Sequence, residues 1–195
     1  MAEIEGLVRA LRDGDDAAKT AAARALGDHA RSAYDRIVLI AEAGGIPLLV
    51  ELLRDGSARA KIDAAYALGH LARHAANRLL IAEAGGIPPL VELMRDGGVS
   101  VRWDAAYALR HLADDNDANA VAIALAVGLE ALVQLARRGR VRTVGNLLVV
   151  RSAGIAAKRK AALVVAALLR ACVPVEARSR ADVRDVIRGV VGPYL

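Results

Sequence analysis

The stretch IAEAGGIPLLVELLRDG occupies Ile40 to Gly56, and IAEAGGIPPLVELMRDG returns at Ile81 to Gly97. The offset of 41 residues extends well beyond these stretches, because it also relates Tyr66 to Tyr107 and His70 to His111. A fixed period of this size marks a stacked helical array, in which each unit buries its apolar face only against its neighbours. Fainter copies flank the pair. GLVRALRDG from Gly6 matches LLVELLRDG from Leu48 at an offset of 42, and GLEALVQLARRG from Gly128 echoes GIPPLVELMRDG from Gly86.

The punctuation within a unit sets its helices. RLLIAEAGG, ending at Gly86, reads as a short helix stopped by paired glycines, which accept the left-handed turn at a helix end. Pro47 and Pro88 follow where the next helix starts, and there a missing N–H costs little. LLVELLRDG is a second helix closed by Asp-Gly. The third, ARAKIDAAYALGHLARHA from Ala58, is longer, and its Ile62, Ala65, Leu68, Leu71 and Ala72 form an apolar stripe at helical spacing. Three helices per unit and no strand signal predict an all-α, right-handed α-solenoid of about four units. Residues 1–195 are expected to form a single domain. Its partial first repeat spans 1–33, the following repeats span 34–74 and 75–114, a fourth at 115–172 carries an insertion, and a capping helix spans 173–195.

Composition agrees. The chain of 195 residues has no Phe, one Trp and four Tyr, and its apolar fraction is dominated by Ala, Leu and Val, as close-packed helices require. The longest apolar runs, such as Ala161–Leu169, fall far short of the roughly 20 residues of a membrane span. The opening MAEIEG is acidic and has no apolar signal core. A single cysteine, Cys172, allows no internal disulfide, and it follows an apolar helical run as a small core residue would. Cytosol or nucleus is the expected compartment.

These residues resemble the armadillo repeat. Its pattern is a Gly-Gly-Ile-Pro turn, a leucine-rich second helix and a third helix related to Ala-Leu-Trp-Ala-Leu-x-Asn-Leu-Ala; here EAGGIPLLVELL is followed by AAYALGHLA. HEAT-like repeats of the lyase type would also suit VRWDAAYALRHLA, while the Gly-Gly-Ile-Pro turn and three-helix unit favour armadillo. The resemblance implies a concave groove lined by third helices, where Asn bonds the backbone of an extended peptide and Trp packs its side chains. Tyr66 and Tyr107 match the Trp position and His70 and His111 the Asn position, with Arg24 and Asp28 in the corresponding places of the first repeat. The chain thus departs from the peptide-clamp residues at every one of these positions. The implied role is a noncatalytic adaptor or scaffold binding a protein or peptide.

Spacing alone gives a related face. Asp63, Tyr66, His70 and Arg73 recur every three or four residues, opposite the apolar stripe, and Asp104, Tyr107, His111 and Asp114 repeat them. A neutral imidazole has one donor and one acceptor, so it serves a peptide backbone much as an amide does. An unperturbed ring would titrate near pH 6.5 and change binding between about pH 7.5 and 5.5. The competing reading of this face is a solvated polar surface.

Catalytic signals are weak. His70 and His74 have the i, i+4 spacing of zinc ligands but lack the intervening Glu of the metalloprotease motif. The Gly pairs at 44/45, 85/86 and 97/98 close helices and form no phosphate loop. Neither cofactor nor metal is expected. Trp103 takes the place of Ile62 in the period and is expected in the core.

Charge is uneven. Residues 1–56 carry 7 basic and 10 acidic side chains, 57–120 carry 7 and 8, and 121–195 carry 13 and 4. Arg137 to Lys160 is rich in Arg and Lys, free of acid, and lengthens the fourth unit by 18 residues, taking Leu168 as the counterpart of Leu109. Arg137, Arg138, Arg140 and Arg142 are therefore candidates for contact with an acidic protein or with phosphates. The alternative function is a nucleic-acid- or phosphate-binding array using 137–160, although no aromatic residues interleave for base stacking. After Pro174, Val183, Val186, Ile187 and Val190 form the apolar side of the cap helix. The N-terminus begins at a second-type helix, which leaves that stack end open to self-association.

Overall fold

A computed structural model of the chain describes residues 1–97, 99–123 and 125–126. The chain divides into two compact units, Met1–Leu112 and Ala113–Leu195. Among the described residues every regular element is helical, and no helix is long and apolar enough to cross a membrane.

The first unit runs α1 (Ala2–Asp13), α2 (Asp16–Ser32), α3 (Tyr34–Glu42), α4 (Gly45–Asp55), α5 (Ala58–Leu71), α6 (Ala75–Glu83), α7 (Ile87–Asp96) and α8 (Val99–Ala113). Read with the period, α3–α4–α5 and α6–α7–α8 are two complete three-helix repeats, and α1–α2 lacks the first helix. The solenoid fold predicted from the period is what these elements build. Like stacks on like: α1 packs on α4, α4 on α7, and α2 runs along α5.

Local chemistry sets the boundaries. Asp15 caps α2 by accepting from the Ala18 N–H at 2.8 Å, and Ser57 caps α5 by accepting from Ala60 at 3.4 Å. Gly44 and Gly85 take φ of 77° and 80°, the left-handed conformation that reverses the chain between first and second helices. Pro88 and Pro89 occupy the first turn of α7. Asn77, buried, donates from Nδ2 to the Leu71 carbonyl at 3.1 Å and so satisfies the end of α5.

The core repeats with the sequence. Leu26, Leu68 and Leu109 are fully buried at matching positions, and so are Ala22, Ala64 and Ala105 four residues before them. α1 buries Ile4, Val8 and Leu11, one per turn. At the first repeat an open cleft of about 340 Å³ is lined by Ile4, Val8 and Leu39.

Trp103 corrects its sequence expectation. It is 73% exposed, and Ile62, its counterpart, is only half-buried. The position lies at the edge of the stripe, where the core covers only part of a side chain and a large indole stands out.

In the second unit a helical run covers 117–123, begun by Asn116, whose Oδ1 accepts from the Asn119 N–H at 3.0 Å. The basic segment 137–160, Cys172 and the expected cap at 173–195 lie outside the described residues.

Candidate interaction face

The third-type helices α2, α5 and α8 bring the predicted residues of the first unit into one row. Tyr66 meets His70 edge-on, with centroids 4.8 Å apart and planes at 79°. His70 lies 5.2 Å from Tyr107, and Tyr107 meets His111 edge-on at 4.5 Å and 76°. The sequence put Tyr and His four apart on each helix; the fold then interposes His70 between two tyrosines of successive repeats. Arg24, at the tyrosine position of the first repeat, ends the row with its guanidinium 4.4 Å above the Tyr66 ring, and Arg110 lies 5.8 Å from the Tyr107 ring.

Two glycines seat the rings, and they were not singled out from the sequence. A Cβ at Gly27 would stand 2.4 Å from Tyr66 Cδ1, and one at Gly69 would stand 2.9 Å from Tyr107 Cδ1. Each tyrosine therefore rests in a notch on the preceding third helix. The signal was present as glycine at 27 and 69, one residue before Asp28 and His70. At the third such position the chain has Arg110.

The carboxylates sit lower than the spacing implied. Asp63 is 1% exposed, although it shares its helix face with the half-buried Tyr66 and His70. Arg59 Nε donates to Asp63 Oδ2 at 2.8 Å, while Arg24 Nη1 stands 3.7 Å from Oδ1, which accepts no hydrogen bond. Asp28 accepts from the Tyr66 hydroxyl at 2.9 Å and has Arg24 at 3.6 Å and Arg31 at 3.8 Å. Burial pushes the Tyr66 phenol up, and the Asp28 carboxylate adds to that shift. Burial likewise raises the Asp104 carboxyl, with Asp63 adding and Arg24 opposing.

His70 is the most perturbed group of the row. Burial, then the Arg73 and Arg31 guanidiniums and His111, lower its imidazole to about 4, with Asp28 opposing. The ring is therefore neutral from pH 7.5 to 5.5, and any effect of its titration falls near pH 4 instead. Its buried Nδ1 has no hydrogen-bond partner among the described residues. Arg73, just past the end of α5, is exposed.

His74 does not continue the His70 face. α5 ends at Leu71, and His74 caps α6 and packs at 5.8 Å from Tyr34. Among the described residues no group of His, Cys, Asp and Glu is placed to hold a metal ion. Arg137, Arg138, Arg140 and Arg142 lie outside the described residues, and Asp114 belongs to the second unit.

Residues 34–73 and 74–114 each match the armadillo/beta-catenin-like repeat. No curated protein sequence matches the chain. A solved engineered protein from the Northeast Structural Genomics Consortium is similar at 28% identity and TM-score 0.67, over 97% of this chain and 77% of that one. Computationally designed armadillo repeat proteins for modular peptide recognition are similar at 25% identity and TM-score 0.62, over 96% and 79%. A designed armadillo repeat protein in complex with peptide (KR)4 shares the fold at 21% identity and TM-score 0.65, over 98% and 82%. By their period, helix order, Gly-Gly-Ile-Pro turns and these matches, residues 34–114 of the chain are two armadillo-type repeats.

Proposed function

We propose that the chain is a noncatalytic binding module that takes an extended peptide or protein segment along its third-helix face. The carrying observation is the unbroken row from Arg24 through Tyr66, His70 and Tyr107 to His111. The rings offer apolar contact, and the neutral His70 imidazole, with Nδ1 buried, leaves Nε2 to donate to or accept from a peptide backbone. The likeness to designed armadillo proteins for modular peptide recognition supports the same reading. An adaptor role in the cytosol or nucleus would follow from such a module.

Display of random octapeptides on the full chain tests it. Enrichment of a sequence class, with loss of binding on Tyr107→Ala at unchanged helix content, is the expected result. Failure to enrich any peptide sinks the proposal.

A further inference from the structure

Resting on that reading, we infer that the segment bound along this face is acidic. The sequence presents Asp and Arg in similar numbers on the third helices, but the fold sorts them by depth. Arg24, Arg31, Arg59, Arg73 and Arg110 are all exposed, and each is tied to the ring row or to the carboxylates beneath it.

Asp63 is withdrawn, and Asp28 and Asp104 are partly covered. Asp63 lies under Arg24 and Arg59 and meets almost no solvent. Asp28 is flanked by Arg24 and Arg31 and also accepts from Tyr66. Asp104 is half-buried, and burial favours its protonated form. An approaching ligand therefore meets the Arg24 and Arg59 guanidiniums before the Asp63 carboxylate, and meets Asp28 only between two arginines.

Beside the row, an open cleft of about 470 Å³ is lined by Asp16, Thr20, Arg24, Ser57, Arg59 and Asp63. While held at Asp63, its two guanidiniums keep further N–H donors that a ligand carboxylate can accept from. Two further features favour an acidic peptide over a strand of nucleic acid. Tyr66, His70 and Tyr107 contact one another edge-on or at a tilt, so the row presents no open stack of ring faces on which successive bases could lie. Neutral His70 adds no charge for phosphate.

The test uses the octapeptide selection on the full chain, followed by fluorescence anisotropy of enriched peptides. The comparison is between wild type and an Arg31→Glu, Arg73→Glu, Arg110→Glu variant. None of these three contacts buried Asp63, and circular dichroism checks the variant's fold. Enriched peptides should carry net negative charge and lose about tenfold in affinity on the variant, as three exposed charges each contributing roughly twofold would give. If the triple variant unfolds, Arg31→Gln and Arg73→Gln singly should each weaken binding about twofold.

Enrichment of basic or neutral peptides overturns this inference and leaves the peptide-binding reading standing. Acidic peptides that ignore all of these substitutions also overturn it, since they would then bind elsewhere on the chain, outside this face. Tight binding of a dT20 oligonucleotide that the variant abolishes, with no peptide enriched, overturns both.

Discussion

The Tyr66 ring occupies the space that a side chain at Gly27 would need, 2.4 Å from a Cβ built there, with the Ala67 backbone 3.2 Å away on the other side. Neither neighbour retreats freely, because one is a seated ring and the other is main chain. Gly27→Ala gains up to about 1 kcal/mol of helix propensity but overpacks the α2–α5 contact at a cost of about 1–3 kcal/mol. Net destabilisation is expected, larger than for Gly69→Ala, where the nearest atom is 2.9 Å away. Thermal melting checks the order, and a raised Tm for Gly27→Ala would refute the seating.

The lowered His70 imidazole gives a pH signature. Its folded value is about 4 against an ordinary 6.5, so between these the unfolded chain binds a proton that the folded chain refuses. Stability therefore declines as pH falls from about 6.5 to about 4 and levels off below. Partial solvation of the ring limits the loss to about 1–2 kcal/mol. Urea denaturation at pH 7, 5.5 and 4.5 reads it, and His70→Asn should remove that part of the slope. An identical slope in His70→Asn assigns the proton to another group.

Asp63 and its two arginines are asymmetric partners. The carboxylate is buried, whereas the Arg24 and Arg59 side chains are 49% and 67% exposed. Asp63→Asn releases two solvated cations and should cost about 1 kcal/mol or less. Arg24→Ala with Arg59→Ala strands a buried charge and should cost about 2–4 kcal/mol. Denaturant midpoints compare the two, and equal losses would contradict the buried position of Asp63.

Trp103→Ala should leave stability within about 0.5 kcal/mol of wild type, because a 73% exposed indole has little packing to lose. A loss of about 3 kcal/mol, the size of a buried aromatic truncation, would restore the core assignment.

The fold was legible because its determinants are local. Paired glycines and early prolines act within a turn of themselves, and a 41-residue period repeats them. The row was legible in part: fourfold spacing placed Tyr66 with His70 and Tyr107 with His111, and the stacking order followed. What escaped depends on partners distant along the chain. Gly27 reads as a helix weakness until Tyr66 lies on it. The position of Trp103 in the period could not show that its stripe edge is open. The Arg59–Asp63 pair, four apart on one helix, was not singled out from the sequence, and neither was the depth of Asp63.

Arg110 makes the two complete repeats unlike in a way their sequences nearly conceal. Residues 34–73 contribute both a ring, Tyr66, and a notch, Gly69; residues 74–114 contribute the ring Tyr107 and put an arginine where the notch would be. The first is an extender and the second a terminator. Copies of 34–73 inserted before residue 74 would each add a tyrosine and a histidine to the row, whereas copies of 74–114 would break it at every junction. With helices about 10 Å apart and an extended chain rising about 3.3 Å per residue, the row from α2 to α8 has the length of roughly six residues of extended peptide, so Arg110 would set the reach of these two repeats on the proposed peptide-binding reading.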